Sequence, residues 1–436
     1  MELKPGYKQT EVGVIPEEWE VRCLLNTVRI ANGQVDPKTE PYRSMILVAP
    51  DHIEGGTGKL LEKRTAAEQQ AISGKYVFQA GDIVYSKIRP YLRKATLAEF
   101  DGLCSADMYP LKPASDISAG FILAILLGHR FTKYAESVSV RSGMPKINRA
   151  ELANFEVAVP PFPEQREIAG ALRDADGLLS GLDRLIDKKR DLKQAAMQQL
   201  LTGQTRLPGF HGESGIKLGY KRTEVGVIPE DWEASTVGRE FEVKLGKMLD
   251  AEKNVGIPKP YLGNKAVQWN RIDINGLPTV RLTRTDIERF RLRKGDVLVC
   301  EGGEIGRAAL WDAPIEECYY QKALHRLRPI RGFDSRLMVS LLRLWADRGL
   351  LANYVTQTSI AHLPREKFMQ VPMPVPPLPE QTAIAVVLSD MDAELAALER
   401  RREKTRSLKQ AMMQELLTGK TRLVAAGGSH ARTTSP

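Results

Sequence analysis

Cysteine is scarce in this chain. Cys23, Cys104, Cys300 and Cys318 are the four present, and none forms a CxxC pair. Such spacing holds neither a zinc ligand set nor a disulfide framework, and it suits a reducing cytoplasm, the expected location. Long apolar runs are missing too. No run reaches the ~18 residues of a membrane span, and Met1-Glu2-Leu3-Lys4-Pro5 lacks the apolar core of a secretion signal. Neither a membrane association nor export is therefore expected. The six histidines are dispersed, none at metal-ligand spacing, so no metal site is expected.

What remains is an ordinary globular composition. Hydrophobic residues make up 42% and charged residues 27%, a balance that forms packed cores rather than disorder. With 436 residues the chain is long enough for two or more domains. Sixty-three Lys and Arg against 54 Asp and Glu leave +9, which permits a polyanion partner without requiring one.

The strongest signal is an internal repeat. The segment Gly6–Glu20 (GYKQTEVGVIPEEWE) returns as Gly219–Glu233 (GYKRTEVGVIPEDWE). Pro160–Gln165 (PPFPEQ) returns as Pro376–Gln381 (PPLPEQ), and Leu192–Leu207 (LKQAAMQQLLTGQTRL) as Leu408–Leu423 (LKQAMMQELLTGKTRL). The offsets (6 to 219, 160 to 376, 192 to 408) are 213, 216 and 216, so one unit of about 215 residues is written twice. Residues 21–150 and 234–365 diverge, sharing faint marks such as Gly81-Asp82-Ile83-Val84 with Gly295-Asp296-Val297-Leu298. Similar ends around dissimilar middles imply one framework carrying two different heads.

Each repeat closes on a long helix. From Glu164 to about Leu201, Ile168, Leu172, Ala175, Leu179, Leu182 and Ile186 follow the alternating spacing of a coiled-coil seam. Ile384, Leu388, Met391, Leu395 and Leu398 repeat it. Pro163 fits a first helical turn, Glu164 the positive helix end, and Gly203 and Gly419 the stops. Lys188-Lys189-Arg190 and Arg400-Arg401-Arg402 interrupt the seam, either as a solvated face or as a stretch lying near a polyanion. Each helix would span ~57 Å. Since domain termini usually lie close together, the second head joins the end of one helix to the start of the other, which makes the pair antiparallel. The expected fold class is α+β: two globular α/β-type heads separated by two long antiparallel coiled-coil helices, with an internal pseudo-two-fold.

These blocks resemble the specificity subunit of Type I restriction–modification systems, from Gly6 to Leu423. The carriers are VPPFPEQ (Val159–Gln165) and VPPLPEQ (Val375–Gln381), each opening a long helix, and the LLTG endings at Leu200–Gly203 and Leu416–Gly419. Gly81–Pro90 with Cys104-Ser105-Ala106, and Gly295–Leu310 with Tyr320-Gln321-Lys322, resemble target recognition domains of two kinds. The resemblance implies target recognition domains at 1–160 and 218–375, repeated helices at 161–207 and 376–423, a linker at 208–217 and a disordered tail at 424–436. It implies a chain that reads double-stranded DNA and catalyses nothing. Each head would read one half of a bipartite, asymmetric site. Two modification (methyltransferase) subunits would dock on the repeated helices, and restriction subunits would supply translocation and cleavage. The chain would need no cofactor of its own, whereas those partners would use S-adenosylmethionine, ATP and magnesium. For readers with two heads, half-sites one helical turn apart (~34 Å) present the same groove to both.

Phosphate contacts need cations, and base contacts need directional donors and acceptors. In the first head Ser86, Lys87, Arg89, Arg93 and Lys94 follow a predicted strand, and Arg141, Lys146 and Asn148 form a second polar loop. In the second head Arg284, Arg291 and Arg293 belong to a basic stretch, while Glu301, Arg307, Gln321, Lys322 and His325 supply donors and acceptors. Taken singly, each also fits surface or structural duty. Trp19 and Trp232, at equivalent positions, are expected to pack rather than stack on bases.

Enzyme-like strings fail at residues their chemistry requires. Val159-Pro160-Pro161-Phe162 resembles the tetrapeptide of amino-methyltransferases, but valine cannot accept a hydrogen bond from an amino group. Gly55-Gly56-Thr57-Gly58-Lys59 resembles a phosphate loop, yet Ile53 stands for its first glycine and Leu60 for its metal-binding hydroxyl. Asp82 and Asp296 follow glycine at predicted turns, with no ExK after them. The alternatives are a methyltransferase or nuclease with drifted motifs, and a coiled-coil adaptor that ignores DNA. The adaptor leaves two divergent heads on matched frames unexplained.

Overall fold

The computed structural model describes residues 5–139, 143–210, 219–250, 254–356 and 361–423. The chain divides into two compact units, Met1–Arg184 with Arg400–Pro436, and Leu185–Glu399. Residues 211–217 of the expected linker, residue 218 and the expected tail from 424 onward lie outside the described residues.

The first unit is built on a four-stranded antiparallel sheet in the order Val28–Ile30, Met108–Pro113, Ile83–Ser86, Ala95–Leu97. Ile83, Tyr85 and Leu111 are buried between this sheet and the helix Ala119–Leu127, whose Phe121, Ile122 and Leu126 complete the core. A smaller sheet of Leu47–Val48, Gly102–Cys104 and Tyr76–Phe78 contributes to two apolar clusters, one with Val48, Phe78 and Cys104 and one with Leu47 and Leu103.

The second unit repeats the main sheet strand for strand: Phe241–Leu245, Leu324–Pro329, Val297–Cys300, Ala308–Leu310. The helix Ser335–Asp347 takes the place of Ala119–Leu127 and buries Leu337, Leu341 and Leu342. Its satellite sheet differs, with Thr279–Leu282, Ile257–Leu262 and Tyr319–Tyr320 side by side. The paired Gly-Asp marks prove to be one turn used twice. Gly81 and Gly295 are left-handed, at φ 93° and 92°. The carboxylates of Asp82 and Asp296 accept the backbone N–H groups of Gln79 and Arg293, three residues upstream in each case.

The long helices run Phe162–Leu200 and Leu378–Leu416, 39 residues each. Ile168, Leu172, Leu182, Ile186, Ile384 and Leu388 of the expected seam are buried, and Ala175, Leu179, Met391, Leu395 and Leu398 are half-buried. Within each unit the helices pass antiparallel, because ion-pair partners climb on one helix as they fall on the other. In the first unit Glu164 meets Arg422, Asp176 meets Lys409 and Asp183 meets Arg402. In the second Lys189 meets Glu394, Lys193 meets Asp392 and Arg206 meets Glu380. Lys189 and Arg190, expected either to be solvated or to lie near a polyanion, are engaged between helices, Arg190 with Glu399 at 2.6 Å.

The invariant-looking blocks of the repeat form a clasp, and each clasp joins sequence from both repeats. In the first unit Glu164 is buried beneath Trp19, whose indole N–H donates to it at 3.0 Å, and Arg422 donates to both its oxygens. In the second unit Glu380 takes the Trp232 indole N–H at 2.9 Å and two guanidinium donors of Arg206. The Tyr7 hydroxyl donates to the Gly419 carbonyl and that of Tyr220 to the Gly203 carbonyl, at 3.0 and 3.1 Å. Gly203 and Gly419 have φ near 70°, and a Cβ on either would lie 2.4 Å from the Cδ of Pro229 or Pro16. The glycine of LLTG is thus fixed twice, by handedness and by the proline packed against it. Gln165 and Gln381 close the entry turn: each side-chain carbonyl accepts a backbone N–H, from Ser118 or Asp334, and each amide donates to the carbonyl of Pro160 or Pro376. The PEQ string is therefore a helix-entry device, and both tryptophans are packed away from solvent.

Candidate nucleic-acid interface

In each unit the two strands at one side of the main sheet are joined by a hairpin that leaves the framework. In the first unit it links Ile83–Ser86 to Ala95–Leu97, and in the second Val297–Cys300 to Ala308–Leu310. The backbone holding the hairpins is the same. Lys87 and Glu301 each begin the loop, donating their N–H groups to the carbonyls of Asp107 and Ala323 at 3.0 Å. Their own carbonyls accept the N–H groups of Ile147 and Leu363 at 2.9 and 2.8 Å. One framework position therefore carries a cation in one unit and a carboxylate in the other.

In the first unit three loops meet here. Arg89 donates its backbone N–H to the Pro145 carbonyl at 2.8 Å, and the Gly56 N–H donates to the Arg93 carbonyl at 2.9 Å. This brings residues 54–59, 87–94 and 143–148 together. Pro90–Leu92 forms one 3-10 turn between Arg89 and Arg93, both left-handed at φ 47° and 48°. Non-glycine residues occupy that region only when surroundings enforce it, and such strain gathers at functional loops. Gly55 is obligatory for a different reason, since a Cβ there would sit 2.5 Å from the Leu92 carbonyl oxygen. The string resembling a phosphate loop is thus a support packed under the hairpin.

The expected contact residues in this unit separate. Arg89 and Lys146 are exposed, Arg93 and Lys94 half-buried, and among the described residues none of the four makes an ion pair. Lys87 is half-buried, its ammonium donating to the Ala106 carbonyl at 2.6 Å and lying 5.4 Å from the Tyr109 ring centre. Two others serve the backbone. Ser86 is 1% exposed and its hydroxyl donates to the Ile88 carbonyl. Asn148 caps the helix Arg149–Ala153, its side-chain oxygen accepting the Glu151 N–H while Glu151 accepts the Asn148 N–H. As placed, neither presents its acceptor outward. Arg141 lies outside the described residues.

In the second unit residues 262–265, 301–307, 320–323 and 361–363 converge. Asn264 donates its amide to the Gly302 carbonyl at 3.0 Å, and Gln321 donates its backbone N–H to the Leu262 carbonyl at 3.1 Å. Arg307 closes the hairpin from within: one guanidinium nitrogen donates to the Asn264 carbonyl at 3.0 Å and another to the Glu304 carboxylate at 3.2 Å. Glu304 also accepts the Trp269 indole N–H, and Arg343 lies 4.8 Å from that ring's centre. Glu301 is half-buried, and loss of water around it pushes its carboxyl above the usual range, with Lys322 and His362 pulling the other way. Gln321 is half-buried and Lys322 exposed.

The remaining residues do not join them. Arg291 and Arg293 lie at the opposite end of the strands: Arg293 precedes the Val297–Cys300 strand, and Arg291 donates to the Glu316 carbonyl before Tyr319–Tyr320 begins. Arg284 opens the helix Arg284–Phe290, faces Glu288 at 3.8 Å, and is 95% exposed. His325 is fully buried with Nε2 2.9 Å from the Leu363 carbonyl, and burial lowers its pKa to about 4, so it is a neutral core residue. Sequence reasoning missed the supports Asn264 and Gly55 and the apolar hairpin tip of the first unit. The recurring Gly-Asp turn was the one signal marking where both hairpins start.

In each unit separately the hairpin presents polar and charged side chains on a shared backbone frame, and among the described residues no His, Cys, Asp and Glu cluster is arranged to hold a metal. Residues 16–187 and 229–406 both match the family model for the Type I restriction modification DNA specificity domain. The chain belongs to this family. A similar protein is the Type I restriction enzyme EcoDI specificity subunit of Escherichia coli, 35% identical over 202 residues, a match spanning 45% of each chain. The Type I restriction enzyme MjaVIII specificity subunit of Methanocaldococcus jannaschii is 23% identical across 94% of both. Among solved structures, the Type I restriction–modification S subunit of M. genitalium superposes with a TM-score of 0.56 at 14% identity, covering 95% of this chain and 98% of that one. A chain from a structure of a type I R-M system undergoing assembly and conformational transition gives 0.58 at 18% identity, with 93% and 99% covered. These neighbours share the fold: α+β, two recognition domains and two long helices. No helix among the described residues is long and apolar enough to cross a membrane.

Proposed function

We propose that this chain is the sequence-reading subunit of a Type I restriction–modification enzyme and performs no catalysis itself. Each unit reads one half of a split, asymmetric target in double-stranded DNA, and the long helices dock two modification subunits, to which restriction subunits are added. The observation that carries this reading is the hairpin pair: one backbone frame, used twice, presenting Lys87 with Arg89 and Lys94 in one unit and Glu301 with Gln321 and Lys322 in the other. Cations suit phosphates and guanine acceptors, whereas a carboxylate suits the cytosine amino group, so the half-sites should differ in base content. Leu178, Leu192 and Leu408 stay exposed on the helices, which supports docking there.

Mapping adenine methylation in cells with and without the chain, alongside its modification subunits, tests the proposal. A split motif that vanishes with the chain is expected, and exchanging residues 301–307 should alter one half of it alone. Methyl transfer from S-adenosylmethionine by the purified chain without partners would instead support the catalytic reading.

A further inference from the structure

Resting on that reading, we infer that the first unit's hairpin tip reads DNA by apolar contact and that its ligand is the C5 methyl group of a thymine. Tyr91, Leu92 and Met144 are 50%, 38% and 53% exposed, although each is large and apolar. They sit together: Tyr91 and Leu92 form the 3-10 turn, and Met144 precedes the Pro145 whose carbonyl takes the Arg89 N–H. The turn is built to face outward. Pro90 is buried, so the turn's root is anchored in the fold. The close approach of Gly55 supports the Leu92 carbonyl, and left-handed arginines fix both ends.

A strained, well-supported loop that holds apolar side chains in water points to an occupant. Arg89, Lys94 and Lys146 around it provide the phosphate contacts that would bring a duplex to this surface. Among the groups that base edges present in the grooves, the thymine methyl is the apolar one, and the major groove, which admits a two-stranded ribbon, also admits this hairpin. The equivalent hairpin of the second unit has no such tip. Its Gly302-Gly303-Glu304 sequence turns a carboxylate toward Trp269 and Arg307, and no large hydrophobic residue in 301–307 is exposed. Of the two hairpin tips, the apolar one therefore belongs to the first unit alone.

The test uses the full chain assembled with its modification subunits and the target found by methylation mapping. Competition binding is measured on duplexes in which deoxyuridine replaces each thymine in turn, removing one methyl group. Within the first unit's half-site one replacement should weaken binding about fourfold, the worth of one buried methyl. The variant Tyr91→Ala/Leu92→Ala/Met144→Ala should lose that sensitivity while keeping its affinity for random-sequence DNA. Thymines of the other half-site serve as an internal control. A half-site without thymine, indifference to every methyl, or a triple variant that no longer assembles with modification subunits overturns the inference. If the complex prefers no sequence at all, the underlying reading fails instead.

Discussion

Replacing Glu380 with alanine should destabilise the second unit more than any exposed ion-pair loss. The Glu380 side chain is 0% exposed and that of Arg206 6%. Glu380 accepts from Arg206 Nε and Nη2 and from the Trp232 indole N–H. Hydrogen bonding to Glu380 and Asp231 raises the Arg206 pKa, so the guanidinium is held charged in the fold. Glu380→Ala leaves that charge and the indole N–H buried without their acceptor, a loss of about 3–5 kcal/mol for a broken buried pair. Asp231 still accepts from both Arg206 Nη atoms, at 2.9 and 2.8 Å, which places the cost at about 3 kcal/mol. For a unit of this size each kcal/mol moves Tm by roughly 2–4 °C, giving a fall of about 6–12 °C. Scanning calorimetry should show the shift in one transition only. The twin Glu164→Ala should shift the other transition by less, because Arg422 is 19% exposed and can turn to water. Glu394→Ala, which breaks the exposed pair with Lys189, should stay within about 0.5 kcal/mol. A Glu380→Ala shift no larger than that of Glu394→Ala would refute the reasoning.

Acid should weaken the second unit through His325. Its pKa falls from 6.5 to about 4 on folding, so the unfolded chain binds the proton first. The stability is present above pH 6.5 and is lost as pH drops toward 4, by up to about 3 kcal/mol; urea midpoints of His325→Gln should fall less over that window than those of the unaltered chain. Burial pushes the thiols of Cys104 and Cys318 up to about 12 and that of Cys300 upward, while Cys23 is half-buried. A thiol-reactive dye at pH 8 should label about one cysteine in the native chain and about four in urea; fast native labelling of three would contradict the burial. Arg307→Ala should lower Tm and specific DNA affinity together, since it removes the bonds to Asn264 and Glu304, whereas Arg89→Ala should leave Tm unchanged and reduce binding alone. Equal Tm losses in the two variants would count against this division.

The framework was legible because its constraints repeat. Buried seam positions at coiled-coil spacing, a proline in the first helical turn and a glycine after the last buried leucine all leave marks in the string, and they located both helices. The shared sheet was far fainter, since strands in the two units need only be apolar in the same places. The Gly-Asp turn, where a positive φ and a backbone-capping carboxylate are both required, survived as matching letters, and Leu111-Lys112-Pro113 against Leu327-Arg328-Pro329 as a fainter echo. The candidate site was less readable still. Ser86 and Asn148 have the chemistry of base-reading residues, yet their partners are backbone groups that no sequence window reveals. Arg291 and Arg307 lie 16 positions apart in sequence (291 to 307) but at opposite ends of the strands. The apolar tip was missed because exposure, not residue type, makes Tyr91 and Leu92 unusual.

The interleaving of the units orders events at the ribosome. The second unit is one continuous stretch, Leu185–Glu399, and all its segments are synthesised before residue 400 is added. The first unit begins earlier but needs Arg422 for the clasp over Glu164 and Trp19, and Leu416 for its core. The half whose synthesis starts first is therefore the last to close. Until residue 422 has been made, Trp19 and the part of the first long helix that belongs to the first unit, up to Arg184, wait without their cover, and that interval is when a nascent chain is most open to chaperones or to mispairing with a neighbouring copy.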